Sequence, residues 1–142
     1  MALKDEHGGA PWSRWEPPLR RREPEALAGA RARLSGDVAF WQGVQYLFFR
    51  QWNALKQYAN GRGVRIIGDL PIYAAMDSVD VWAAPGEFQL GGDLRPTEVA
   101  GCPPDGFSAT GQLWGNPLFD WDAMKQDGYR WWIRRIRHVR SI

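Results

Sequence analysis

The chain has 142 residues, enough for one domain and short for two, and its 44% apolar and 24% charged side chains exclude a disordered tract. Its 18 basic and 16 acidic residues leave a formal charge of +2, too weak a field for a nucleic-acid surface. No apolar run approaches the ~20 residues of a membrane span, and the single cysteine, Cys102, permits no internal disulfide framework and suits a reducing cytoplasm.

Residues 1–23 read as loop, punctuated by Gly8-Gly9, Pro11 and Pro17-Pro18, with Trp12 and Trp15 in need of a surface to pack on. Lys4, Asp5, Glu6 and His7 follow the start at once and leave no apolar region of the kind a signal peptide carries. Pro24 suits a first helical turn, and the Ala-, Leu- and Arg-rich run to Leu34 predicts a short helix. A longer helix is predicted from a Ser35 cap to Tyr58 or Asn60. Phe40, Trp41, Val44, Leu47, Phe48, Trp52, Leu55 and Tyr58 recur there at three- and four-residue steps, and Asn60-Gly61 supplies the stop. Such a stripe is expected to be core, covered by a sheet or by other helices.

Val64–Ile67 is a β-branched run of strand length ending at Gly68-Asp69. Helix, turn and buried-looking strand make one step of an alternating α/β architecture, in which working side chains collect at strand ends. Asp69 stands at such an end, which favours a binding role for it over a catalytic one. Asp77 or Ser78 is positioned to cap one helical turn reaching Trp82, and Gly91-Gly92-Asp93 reads as a hairpin turn. Helix returns near Asp120 and ends at Gly128. A last helix puts Trp132, Ile136 and Val139 on one stripe, with arginines opposite; these and Arg20-Arg21-Arg22 read as solvated faces.

The stretch "AGCPPDGFSATGQLWGNP", residues 100–117, carries three prolines and four glycines and shows neither helical period nor strand alternation. Long irregular segments inside a compact domain are usually functional. Asp105, Phe107, Ser108, Gln112, Trp114 and Asn116 give it aromatic faces beside hydrogen-bonding groups, the complement of a pyranose ring with one apolar C–H face and a rim of hydroxyls. A nucleobase platform would add cations along a backbone track, and no Lys or Arg occurs from Gly101 through Asp120. His7, His138 and Cys102 lack metal-ligand spacing. Asp69, Asp77, Asp80 and Asp105 are the carboxylates available for glycoside chemistry, which uses a pair of them; capping is the simpler role for Asp77 and Asp80.

The segments "GDLPIY", "FSATGQLWGNP" and "GYRWWI", in this order, together with "QYLFFRQWNALKQYAN" and "RPTEVAG", closely resemble the bacterial 4-alpha-glucanotransferases (amylomaltases or disproportionating enzymes) of the alpha-amylase-like clan. The resemblance runs from Met1 to about Val139. It implies an α/β fold in which residues 1–142 form part of a (β/α)8 TIM barrel with a long inserted substrate loop, and it implies a retaining double displacement on α-1,4-glucans and maltooligosaccharides with no cofactor, no metal, no nucleic acid and no membrane. Residue by residue, Asp69 would order the floor of the site, Asp105 and Phe107 would belong to a loop overhanging the glucan, and Gln112 and Trp114 would contact sugar near the acceptor side. Gly106 stands where the family usually carries Tyr, which removes one stacking face. The family's nucleophilic Asp, in an Arg-x-Asp-His segment, its acid/base Glu and its stabilising Asp are expected beyond Ile142. The chain therefore reads as an internal fragment that lacks the remainder of the barrel and does not by itself transfer glucan.

Overall fold

The computed structural model describes residues 1–141, which fall into two compact units: Met1–Leu70 with the segment from Arg137 onward, and Pro71–Ile136. The first unit is helical. It holds α1 (Ala2–Glu6), a 3-10 turn at Trp12–Arg14, α2 (Pro17–Arg20), α3 (Pro24–Arg33) and α4 (Ser35–Asn60). Pro17 and Pro24 each start a helix, where the missing N–H costs nothing. The first 23 residues thus contain two short helices where glycines and prolines predict only loop. Trp12, Trp15, Leu19 and Ala30 form the buried centre of this unit. Trp15 donates its indole N–H to the Ala10 carbonyl at 3.1 Å and stacks on His7 with ring centroids 5.0 Å apart.

Polar contacts tie α1 to its neighbours. Arg33 of α3 forms a two-pronged pair with Glu6 at 2.7 and 3.0 Å, and Trp41 of α4 donates to Asp5 at 2.8 Å. The predicted bounds of α3 and α4 agree with the structure, but Ser35 is not a cap. Leu34 alone separates the two helices, its N–H donating to Ala30 and its carbonyl accepting from Val38, so the chain never extends enough at Ser35 for its hydroxyl to reach back.

Two expectations fail here. Helix α4 is 26 residues long, about 39 Å at the α-helical rise, and none of its residues is buried. Phe40, Leu47, Phe48, Leu55 and Tyr58 are all at least half exposed. An apolar stripe becomes core only when something lies along it, and α1 and α3 meet α4 over only part of its length. Val64–Ile67 is likewise not a strand, and Ile67 is 93% exposed. A strand exists only with a ladder partner, and none among the described residues runs beside this segment.

The second unit contains α5 (Val79–Ala83), a 3-10 turn at Pro85–Glu87, β1 (Val99–Cys102), β2 (Gln112–Pro117), α6 (Trp121–Gln126) and the first half of α7 (Arg130–Ser141). Ser78 caps α5 by accepting from Val81, and Asp120 caps α6 by accepting from Ala123. Strands β1 and β2 pair antiparallel with a bulge between Val99 and Gly101, so residues 100–117 are a β-hairpin rather than strandless loop. The turn expected at Gly91-Gly92-Asp93 is present, closed by Gly91 donating to the Arg95 carbonyl. Phe88, Phe119, Met124 and Trp131 form the core with Val81, and Phe119 touches the rings of both Phe88 and Trp131. Trp131, not Trp132, is the buried face of α7. No helix among the described residues is long and apolar enough to cross a bilayer.

One titration follows from the helical unit. Both ring nitrogens of His7 face acceptors: Nδ1 meets the Leu3 carbonyl at 2.7 Å and Nε2 the Glu16 carboxylate at 2.8 Å. The hydrogen bond to Glu16 raises the imidazole pKa above its ordinary 6.5, against an opposing contribution from burial. The same bond lowers Glu16 below its ordinary 4.5. The His7 contribution to stability is complete below the unfolded imidazole value and is lost as pH rises through the raised one. The Glu16 contribution is present above 4.5 and lost as pH falls through its lowered value. The contact is therefore strongest between these two limits. Proton NMR of the His7 ring is expected to give a midpoint above 6.5 that Glu16→Gln moves downward; a midpoint unmoved by that substitution would contradict the pairing.

Candidate functional site

The hairpin β1–β2 closes over residues 103–111, and its backbone leaves no room for side chains at two places. A Cβ on Gly101 would lie 2.5 Å from the Gln112 carbonyl oxygen, and one on Gly111 would lie 2.5 Å from that of Cys102. Gly111 also sits at φ 74, in the left-handed region where glycine is at ease. The tip is bonded to itself. Asp105 accepts through Oδ1 from the backbone N–H of Phe107 at 2.9 Å and of Ser108 at 2.8 Å, while its own N–H donates to the Ser108 carbonyl. Ser108 Oγ donates to the Gly111 carbonyl at 2.7 Å. These are the local bonds by which an aspartate fixes a turn.

The locked tip holds Phe107 in water at 98% exposure. A phenyl ring kept there contributes nothing to a core. Gln112 and Trp114, two residues apart at the start of β2, share a face, and the register irregularity and Gly115 at φ 77 follow before Asn116. Trp114 donates its indole N–H to the Gln112 side-chain carbonyl at 3.0 Å and lies against Tyr73, ring centroids 5.7 Å apart. Asn116 donates its side-chain amide to the Ala74 carbonyl at 3.1 Å, which ties the strand to the segment carrying Tyr73. Both rings of this pair remain partly open to solvent.

Six of the seven residues singled out from sequence, Asp105, Phe107, Ser108, Gln112, Trp114 and Asn116, thus lie on one hairpin. Three of them spend polar atoms on architecture: Ser108 and the Oδ1 of Asp105 hold the tip, and the Asn116 amide holds the Ala74 carbonyl. Asp69 lies in the first unit, exposed, on a stretch without regular structure. Of the other candidate carboxylates, Asp80 is in the first turn of α5 and pairs with Arg135 at 3.3 Å, while the cap of α5 is Ser78, not Asp77. Tyr73 was missed by the sequence reading. It sits in "LPIYAA" outside any helix or strand, and an aromatic in a segment free of regular structure is the signal that marks it. No group of three or more His, Cys, Asp or Glu among the described residues is arranged to hold a metal. The hairpin set offers aromatic faces, amide donors and acceptors, and one carboxylate, groups whose chemistry is stacking and hydrogen bonding.

Comparison with known proteins defines what kind of chain carries this hairpin. The family described as 4-alpha-glucanotransferase matches residues 1–142. The chain is 57% identical over 142 residues to the 4-alpha-glucanotransferase of Thermus thermophilus, covering 100% of this chain and 28% of that protein. It is 51% identical over 138 residues to the enzyme of the same name from Aquifex aeolicus, covering 97% and 28%. Among solved structures, an amylomaltase from Streptococcus agalactiae in complex with acarbose superposes with a TM-score of 0.93 at 47% identity, over 97% of this chain and 28% of that one. The chain belongs to the 4-alpha-glucanotransferase family. It is a mixed α/β segment spanning 28% of the length of these relatives.

The geometry of the tip gives a direct test. In an Asp105→Ala variant the amides of Phe107 and Ser108 lose their shared acceptor, and their hydrogen exchange is expected to rise to the rate of an open loop. Asp105→Asn keeps a carbonyl oxygen and is expected to keep part of the protection. Unchanged exchange in the alanine variant would show that the turn holds without the side chain.

Proposed function

We propose that this chain supplies part of the glucan-binding surface of a 4-alpha-glucanotransferase. The reaction is the transfer of α-1,4-glucan segments to a glucose or maltooligosaccharide acceptor by retaining double displacement on a (β/α)8 barrel, in the cytoplasm and without a cofactor. The observation that carries the reading is the solvent-facing Phe107 on a tip locked by Asp105, on the same hairpin as the Trp114 that lies against Tyr73. Family membership supports it, as does the S. agalactiae amylomaltase, which is in complex with acarbose.

Retaining transfer needs two carboxyl groups roughly 5–5.5 Å apart, and the hairpin presents one. A chain spanning 28% of its relatives is therefore read as binding glucan without transferring it. Titration calorimetry with maltoheptaose is expected to show saturable heat. Phe107→Ala and Trp114→Ala are each expected to weaken it by roughly 5- to 30-fold, the usual effect of truncating an aromatic contact. Maltotriose incubated with the purified chain is expected to release no glucose; sustained release would overturn the binding-only reading, and absence of any saturable heat would overturn the binding itself.

Gly106 provides a gain-of-affinity test. A Cβ there meets nothing within 4 Å, and its φ lies outside the left-handed region. Gly106→Tyr is thus expected to be tolerated and to tighten maltoheptaose binding several-fold by adding a second ring beside Phe107. Weaker binding in this variant would mean that the tip does not face the sugar.

A further inference from the structure

The Tyr73–Trp114 pair depends on a segment with almost no regular structure, and one distant side chain holds that segment at two points. Arg135 of α7 donates through Nη2 to the Pro71 carbonyl at 3.2 Å and through Nη1 to Asp80 Oδ2 at 3.3 Å. The two acceptors are nine positions apart in sequence, and Tyr73 lies between them. The guanidinium is itself placed over the buried Trp131 ring, 5.1 Å from its centroid. Its Nε is buried without a hydrogen-bond partner, so the side chain is oriented by its two Nη contacts and the indole face. Asn116 grips the same segment from β2 at the Ala74 carbonyl. Carbonyl contacts at 71 and 74 therefore bracket Tyr73 and leave its backbone little freedom beside Trp114.

We propose that Arg135 is a positioning residue for the aromatic platform: it spans residues 71–80 so that Tyr73 is held against Trp114 in the arrangement that receives sugar. It touches no ligand and acts through the segment it pins. A planar fork is needed because the acceptors lie in two directions; a lysine ammonium over Trp131 reaches one of them at a time. The inference deepens the glucan-binding reading and rests on it for the nature of the ligand, but the pinning itself is a property of the unliganded chain.

The test separates the two. The 142-residue chain is labelled with 5-fluorotryptophan, and the Trp114 line among its nine tryptophans is assigned by its loss in Trp114→Phe. In Arg135→Gln the Trp114 line is expected to shift or broaden, while the lines of Trp12 and Trp15, in the other unit, stay in place. Arg135→Lys is expected to lie between wild type and Arg135→Gln. Asp80→Asn, which leaves Arg135 on Trp131 and weakens only one prong, is expected to move the Trp114 line in the same direction as Arg135→Gln. In the calorimetric titration with maltoheptaose, Arg135→Gln is expected to weaken binding ~10-fold and Arg135→Lys ~3-fold, the range for losing two or one charge-assisted contacts.

An unmoved Trp114 line in a folded Arg135→Gln chain overturns the proposal, whatever the sugar does. A moved line with wild-type sugar affinity also overturns it, since the platform then does not need the pinned arrangement. If the wild-type chain itself shows no saturable heat, the glucan reading falls, and the pinning is decided by the fluorine lines alone. If Arg135→Gln loses all nine lines through unfolding, Asp80→Asn decides: a shifted Trp114 line supports the inference and an unshifted one ends it.

Discussion

The hairpin exists because two positions on it carry no side chain. At Gly101 and at Gly111 a single Cβ would stand 2.5 Å from a backbone oxygen across the turn, a separation that forces the strands apart. With those two glycines in place β1 and β2 approach closely enough to pair, and Gly111 turns through a positive φ that other residues resist. The arrangement of the tip and of β2 follows from that approach. It sets the tip where Asp105 can gather two backbone amides, and it presents Gln112 and Trp114 on one face of β2.

That constraint also explains which parts of the fold were legible in the sequence. Helix α4 was readable at both ends because its signals are local: a three- and four-residue apolar step and an Asn-Gly stop. The cap of α5 was narrowed to Asp77 or Ser78 for the same reason, since a side chain bonding an amide three residues on needs no distant partner, and the structure selects Ser78. The hairpin was not readable as strands. Its four glycines and three prolines are the residues that break regular structure, and the close approach that requires the glycines hides the alternation that would announce β1 and β2. The six residues on it were nevertheless picked out, because chemical type survives where periodicity does not.

The failures share one cause, which is that burial and pairing are relations between segments. Val64–Ile67 has the composition of a strand and α4 has the stripe of a core helix, yet Ile67 is 93% exposed and no residue of α4 is fully buried. Composition states what a segment would do with a partner; it does not supply one. Side-chain hydrogen bonds within the second unit do supply partners to its irregular segments. Asp105 bonds within the tip, Asn116 reaches Ala74, and Arg135 reaches Pro71 and Asp80. Its order depends on contacts that the unit itself contains. Tyr73 goes unmarked in the sequence, and Arg135 reads there as part of a solvated face, because their contacts are 41 and 55 or more positions away, beyond any local pattern.

Asp105 shows how a structural bond orients the rest of a side chain. Its Oδ1 is occupied by the amides of Phe107 and Ser108, so half of the carboxylate is part of the backbone of the turn. The other oxygen projects from an exposed tip beside an exposed phenyl ring. A carboxylate has about four acceptor sites, and the turn uses two. Occupying one oxygen fixes the direction of the other, which a freely rotating side chain could not do without losing rotamer entropy when a sugar hydroxyl arrives. The same logic holds for Gln112, whose carbonyl is engaged by the Trp114 indole while its amide donors remain. In both cases the intramolecular bond orients the part of the side chain that it leaves unused, so that part is ordered without any ligand.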